Sequence, residues 1–152
     1  YEKQKPIVKS SFFKLPVFGW ILKTSGYIPS TLYGNPDKIW RIEDMGAYLA
    51  SGGNLFIFPE GSRSRDGRIG RFNKSAFKIA ANCNAPICVL FIQTTQVLFP
   101  PGGFRFNTCV ANTIQIELIG RIEPDSKNIS ELADRAQTLM LHRQEQLKKG
   151  EK

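Results

Sequence analysis

The chain has 152 residues, long enough to bury the core of one domain, and its 41% hydrophobic and 22% charged composition excludes an intrinsically disordered chain. Two counts narrow the function: the net charge is +8, and His142 is the only histidine. One imidazole cannot supply the ligands of a His-rich zinc or iron site, and acid–base chemistry by histidine has a single candidate.

No unbroken apolar run is longer than Ile87–Ile92, so no segment reads as a membrane-spanning helix. Cys83, Cys88 and Cys109 form no C-x-x-C pair; odd in number and set among apolar residues, they read as buried thiols of a reducing compartment. The positive charge is concentrated. Residues 1–23 hold five lysines and one glutamate, net +4, and residues 61–80 hold six Lys or Arg and one Asp, net +5. Two such patches attract phosphate, whether in lipid headgroups, nucleic acid or a nucleotide-bearing cofactor.

In chain order, Ser11–Lys23 is short, aromatic and basic. It reads as a helix interrupted near Pro16 and Gly19, and both a core-capping and a membrane-interface placement stay open for it. Asn35-Pro36-Asp37 is a turn signal. Ile39, Ile42 and Leu49 follow near helical spacing, with Gly46 offering a close approach and Gly52-Gly53 as the C-terminal stop. Leu55–Phe58 is a short buried strand that Pro59 terminates, and Glu60–Gly70 is a polar loop with an Asp66-Gly67 turn. Phe72–Cys83 is predicted helical, Pro86–Ile92 a buried strand and Cys109–Ile119 a third strand. Asn128–Lys149 is an amphipathic helix with Ile129, Leu132, Ala133, Ala136, Leu139 and Met140 on its apolar face, and His142 in this polar helix reads as solvated. Strands alternating with helices predict an α/β sheet covered on both faces.

The junction Phe58-Pro59-Glu60-Gly61-Ser62-Arg63-Ser64 carries the chemistry. A buried strand ends there and delivers a carboxylate, a glycine, two hydroxyls and a guanidinium into one loop, at the edge where α/β sheets bind ligands. Arg63 offers a planar fork for a phosphate, Gly61 permits close backbone approach, and Ser62 and Ser64 add hydroxyl donors. It is not a Walker A loop: counted from Gly61, that motif needs Gly and Lys where Asp66 and Gly67 stand. On the residues alone, a strand-ending turn with solvated arginines stays open as well.

Phe58–Ser64 resembles the Phe-Pro-Glu-Gly-Thr/Ser-Arg-Ser motif of the glycerolipid (1-acylglycerol-3-phosphate) acyltransferases. Lys9–Gly19, Gly52-Gly53, Asp66-Gly67, Phe72–Ala80 and Ala85–Val89 resemble the family's other blocks in order, so the resemblance spans roughly residues 5–125. It implies a mixed, largely parallel sheet flanked by helices. It also implies transfer of a fatty acyl group from acyl-CoA or acyl-carrier protein to a hydroxyl of a lysophospholipid, at the cytoplasmic face of a membrane, with no metal or other cofactor. Glu60, Gly61, Ser62 and Arg63 are the implied acceptor and phosphate site.

The family's base is the histidine of a His-x4-Asp pair: the Asp orients the imidazole, and the His takes the acceptor hydroxyl's proton. That pair is absent, because His142 is followed five residues on by Leu147. The Lys9–Gly19 block places the pair shortly before Tyr1. The expectation is one acyltransferase domain over residues 1–152 that lacks this part, with little turnover by itself. The family's second motif usually ends in an arginine, and Gly26–Tyr33 has none; Lys14, Lys23 or Arg65 are the replacements at hand. Ser75 stands where glycine is common. Membrane contact is expected at residues 12–20 and in the loop Val97–Phe106, with a core role the alternative for these aromatics. A non-catalytic lipid- or phosphate-binding relative is the alternative for the whole chain. No nucleic-acid partner is expected, since no recognition-helix or RNA-platform motif accompanies the arginines.

Overall fold

The computed structural model describes residues 3–30, 42–62, 64, 67–94, 111, 113–124 and 128–150. Three strands form a parallel sheet in the order β2 (Ile28–Pro29), β1 (Gln4–Val8), β3 (Asn54–Ile57), and an antiparallel pair joins β4 (Ile87–Thr94) to β5 (Ile114–Ile122). The helices are α1 (Pro16–Thr24), α2 (Ile42–Ala50), α3 (Ser75–Asn82) and α4 (Ile129–Gly150), with a 3-10 helix over Ser10–Lys14. The fold is the mixed, largely parallel α/β class that the sequence implies.

β1 and β2 are additions to that reading. β1 carries Pro6 and polar residues and β2 is two residues long, so neither shows a strand's period. Pro6 is tolerated because β2 pairs only with Ile7 and Val8, so at Pro6 the strand has a paired neighbour on one side. The predicted strand at 109–119 is shifted to 114–122, and Cys109 lies outside the described residues. The helix predicted from Phe72 starts at Ser75 instead. Asn73 Oδ1 accepts from the Ser75 backbone N–H (2.9 Å) and hydroxyl (2.6 Å), which leaves Phe72 free of the helix as a core residue stacked on Phe77.

Pro16 does not interrupt α1; it begins it. Leu15, forced out of the helical region by the following proline, breaks the chain (φ −75°, ψ 129°), and Pro16 takes the first helical position. Gly19 does not interrupt the helix either: it lies against the 3-10 helix, where a Cβ would stand 2.3 Å from the Phe13 carbonyl oxygen. α2 ends in a Schellman motif, with Gly53 N donating to Tyr48 O and Gly52 N to Leu49 O (both 3.0 Å) and Gly52 at φ +82°. The Asn35-Pro36-Asp37 turn and Ile39 lie outside the described residues.

The main core joins Phe72, Phe77, Val89 and Ile122 to Leu132, Ala133 and Ala136 of α4. Asn128 Oδ1 caps α4 by accepting from Ser130 N (3.1 Å) and Glu131 N (3.4 Å). Among the described residues, α4 covers one face of the antiparallel pair. Glu117 of β5 meets Arg143 of α4 (2.8 Å), while Ile92, Ile114, Ile116 and Leu118 on the opposite face are exposed. The expectation of buried thiols is corrected at two positions: Cys88 is exposed and Cys83 half-buried. Burial raises the Cys83 pKa above that of an ordinary thiol, the opposite of an activated nucleophile. No described helix is long and apolar enough to cross a membrane.

Candidate functional site

The parallel register sets Ile57 of β3 beside Ile7 of β1, and Pro29 of β2 beside Val8. Three carboxyl ends therefore stop side by side. β1 continues into Lys9 and the 3-10 helix, β2 into Ser30, whose N–H donates to Val8 O (2.7 Å), and β3 into Phe58-Pro59-Glu60. This is the crevice position where open α/β sheets bind ligands.

Gly61 N donates to Phe58 O (3.2 Å), closing a turn with Pro59 second and Gly61 fourth, the places that suit each residue. Gly61 holds φ +65°, and a Cβ there would meet nothing within 4 Å. The backbone angle, not crowding by the protein, calls for glycine. We therefore expect Gly61→Ala to lower the unfolding free energy by about 1–2 kcal/mol, and Gly61→Asn, which tolerates that angle, by clearly less. Urea unfolding measures both, and equal losses would point to a steric cause.

Glu60 is half-buried, and its Oε2 accepts from Gly70 N (3.1 Å), so the loop folds back on the strand end. Asn73 N donates to Pro59 O (2.7 Å) and fixes the same return. α4 holds the loop from its other side. Gln144 Nε2 donates to Gly67 O (2.7 Å), Gln137 Nε2 to Gly70 O (2.8 Å), and Lys74 Nζ to Ser130 Oγ (2.7 Å). The result is an open cleft of about 440 Å³ lined by Glu60, Arg71, Phe72, Asn73 and Lys74. Its ionic groups are one carboxylate and two cations. Arg71 is exposed and makes no hydrogen bond or ion pair with another described residue.

Glu60 and Gly61 thus share one turn, with Ser62 exposed directly after it, while Arg63, Arg65 and the loop Val97–Phe106 lie outside the described residues. Lys14 and Lys23 are exposed on the chain around α1 and do not line the cleft. Arg71, Lys74, Gln137 and Gln144 carried no sequence signal of a role here. The Glu60–Gly70 and Asn73–Pro59 hydrogen bonds and the docking of α4 bring them to this loop. His142 is exposed on α4, with Nδ1 3.5 Å from Gln146 Nε2. Among the described residues no three His, Cys, Asp or Glu side chains gather as a metal site.

A strand-end turn of this composition on the parallel sheet of a mixed α/β fold is that of an acyltransferase-type domain. The Acyltransferase family model matches residues 2–93, and the chain belongs to that family. It is 33% identical over 102 residues to the chloroplastic 1-acyl-sn-glycerol-3-phosphate acyltransferase BAT2 of Brassica napus, covering 67% of this chain and 30% of that protein. It is 27% identical over 139 residues to the 1-acyl-sn-glycerol-3-phosphate acyltransferase of Chlamydomonas reinhardtii, covering 90% of this chain and 41% of that protein. The chain thus spans well under half the length of these relatives. The crystal structure of the acyltransferase PlsC from Thermotoga maritima shares the fold, with a TM-score of 0.66 at 21% identity over 96% of this chain and 57% of that one.

Proposed function

We propose that the chain forms the acceptor side of an O-acyltransferase. The enzyme would move a fatty acyl group from acyl-CoA or acyl-carrier protein to a hydroxyl of a lysophospholipid, 1-acylglycerol-3-phosphate above all, in membrane lipid synthesis. The observation that carries this reading is the Phe58–Gly61 turn at three adjacent carboxyl ends, with Arg71 and Lys74 beside Glu60. Family membership and the names of the relatives give the reaction class.

In this reading Glu60 and Gly61 shape the acceptor site and Arg63 holds the phosphate. Arg71 supplies the second cation, in place of the arginine missing from Gly26–Tyr33. Ser62 adds a hydroxyl donor. The acceptor's hydroxyl loses its proton to a base, its oxygen attacks the thioester carbonyl, the C–S bond breaks, and the thiol leaves carrying a proton. The thioester is already activated, so the step requires no metal or redox cofactor. The site works at a membrane surface, on the cytoplasmic face, where the thiols of Cys83 and Cys88 stay reduced.

No His-x4-Asp pair stands in the sequence, and a positioned base is worth about 10²–10⁴ in rate, so the 152 residues by themselves should turn over little or not at all. A second reading, a non-catalytic phosphate- or lipid-binding relative, rests on the lack of the second-motif arginine in Gly26–Tyr33. The coding sequence ahead of Tyr1 separates the two, since a His-x4-Asp there supports the enzyme.

Binding tests the site itself. The chain should bind monomeric 1-acylglycerol-3-phosphate at least about tenfold more tightly than the phosphate-free monoacylglycerol, and Arg63→Ala should remove most of that preference. Equal affinity for the two lipids would overturn the assignment.

A further inference from the structure

The protein keeps an apolar helix uncovered next to its site. On α1, Gly19 and Leu22 face inward and are buried. The opposite face presents Val17 (72% exposed), Trp20 (66%) and Ile21 (43%), at the i, i+3, i+4 spacing of a single helical stripe, with Phe18 at its border (41%). A monomeric water-facing helix would carry polar groups there.

Along the chain, the charge of this segment has one sign. Lys9, Lys14 and Lys23 are exposed, and no Asp or Glu occurs between Glu2 and Asp37. A second copy of the chain would bring the same lysines against these, which disfavours self-association through this face. An anionic lipid surface complements both features: apolar side chains enter the acyl boundary while lysines reach headgroup phosphates.

Topology places the stripe usefully. α1 follows β1, and β1 ends beside the carboxyl end of β3, from which Phe58 (61% exposed) leads into the Glu60 turn.

We propose that α1 is an interfacial docking helix that seats Val17, Trp20 and Ile21 in an anionic bilayer, holding the phosphate-side cleft at the surface where a lysolipid resides. The choice of a membrane as occupant rests on the acyltransferase reading; the surface and its lipid charge rest on α1 itself.

Sedimentation with vesicles of phosphatidylcholine, alone or mixed with phosphatidylglycerol, tests this. The protein should bind the mixed vesicles, bind plain phosphatidylcholine at least about tenfold less, and lose binding as salt rises. In a Trp40→Phe background, Trp20 emission should move to shorter wavelength on binding. Val17→Ser with Trp20→Ser should weaken binding at least about tenfold, a loss consistent with removing two apolar side chains from the lipid. Lys14→Glu with Lys23→Glu, which leaves the apolar stripe intact, should weaken it by a similar factor.

Unchanged vesicle binding in both double variants would overturn the proposal, as would equal binding to the two vesicle types. A stripe whose substitution abolishes a dimer but not vesicle binding would overturn it too. If vesicle binding fails while selectivity for monomeric 1-acylglycerol-3-phosphate holds, the docking role falls and the acyltransferase reading stands.

Discussion

Gly19→Ala should destabilise the protein by about 1–2 kcal/mol, although alanine is the better helix former. Helix propensity alone favours the change by roughly 1 kcal/mol. Against it, the new Cβ would lie 2.3 Å from Phe13 O and 2.8 Å from Phe13 C, which are backbone atoms that no rotamer change can move aside. Overpacking of that kind costs about 1–3 kcal/mol, and more when the backbone itself must yield. The steric term therefore wins, and Gly19→Val should be worse than Gly19→Ala. The displacement would also lift Leu22, which is 5% exposed, from its buried position beneath α1. Urea midpoints of the two variants check this, and a midpoint raised by alanine would mean that α1 does not lie on the 3-10 helix as described.

Arg71→Ala should lower affinity for 1-acylglycerol-3-phosphate by about tenfold and leave affinity for monoacylglycerol unchanged. A charge-assisted bond to phosphate is worth about 1.5–3 kcal/mol, and the exposure of Arg71 argues for the lower end. Arg71→Lys should recover only part, because an ammonium keeps the charge and loses the planar fork. Added salt should shrink the difference between wild type and variant, as screening requires. Lys74 should matter less, since its Nζ already donates to Ser130 Oγ at 2.7 Å. Calorimetric titration with the two lipids gives these numbers directly; an Arg71→Ala variant with unaltered phosphate selectivity would return the second cation's place to another residue.

These outcomes also show where residue patterns suffice and where they do not. The α4 register was legible because Leu132, Ala133 and Ala136 recur at helical spacing, and these residues are the buried ones. The glycines that stop α2 and the proline that ends β3 were legible for a local reason: each acts through its own φ or its own missing N–H. Residues 4–8 and 28–29 were not legible as strands. Their pairing depends on neighbours about 20 and 50 residues away, and neither segment carries a period of its own. The apolar run at Ile87–Ile92 announced a strand but not its environment. Whether Cys88 and Ile92 are covered depends on what packs against that face, and α4 packs on the other.

The site divides in the same way. The chain's order of residues alone determines that Glu60, Gly61, Ser62 and Arg63 follow one another directly after a strand, that residues 61–80 carry a net +5, and that His142 is the one histidine in the sequence. Tertiary structure alone decides that Arg71 and Lys74 share the cleft with Glu60, because a hydrogen bond across ten residues and a helix from the far end of the chain set that loop. It alone decides that α1 turns Val17 and Trp20 outward, since Gly19 takes the inward side. Local chemistry is written in adjacent residues; what those residues face is settled by packing between distant ones.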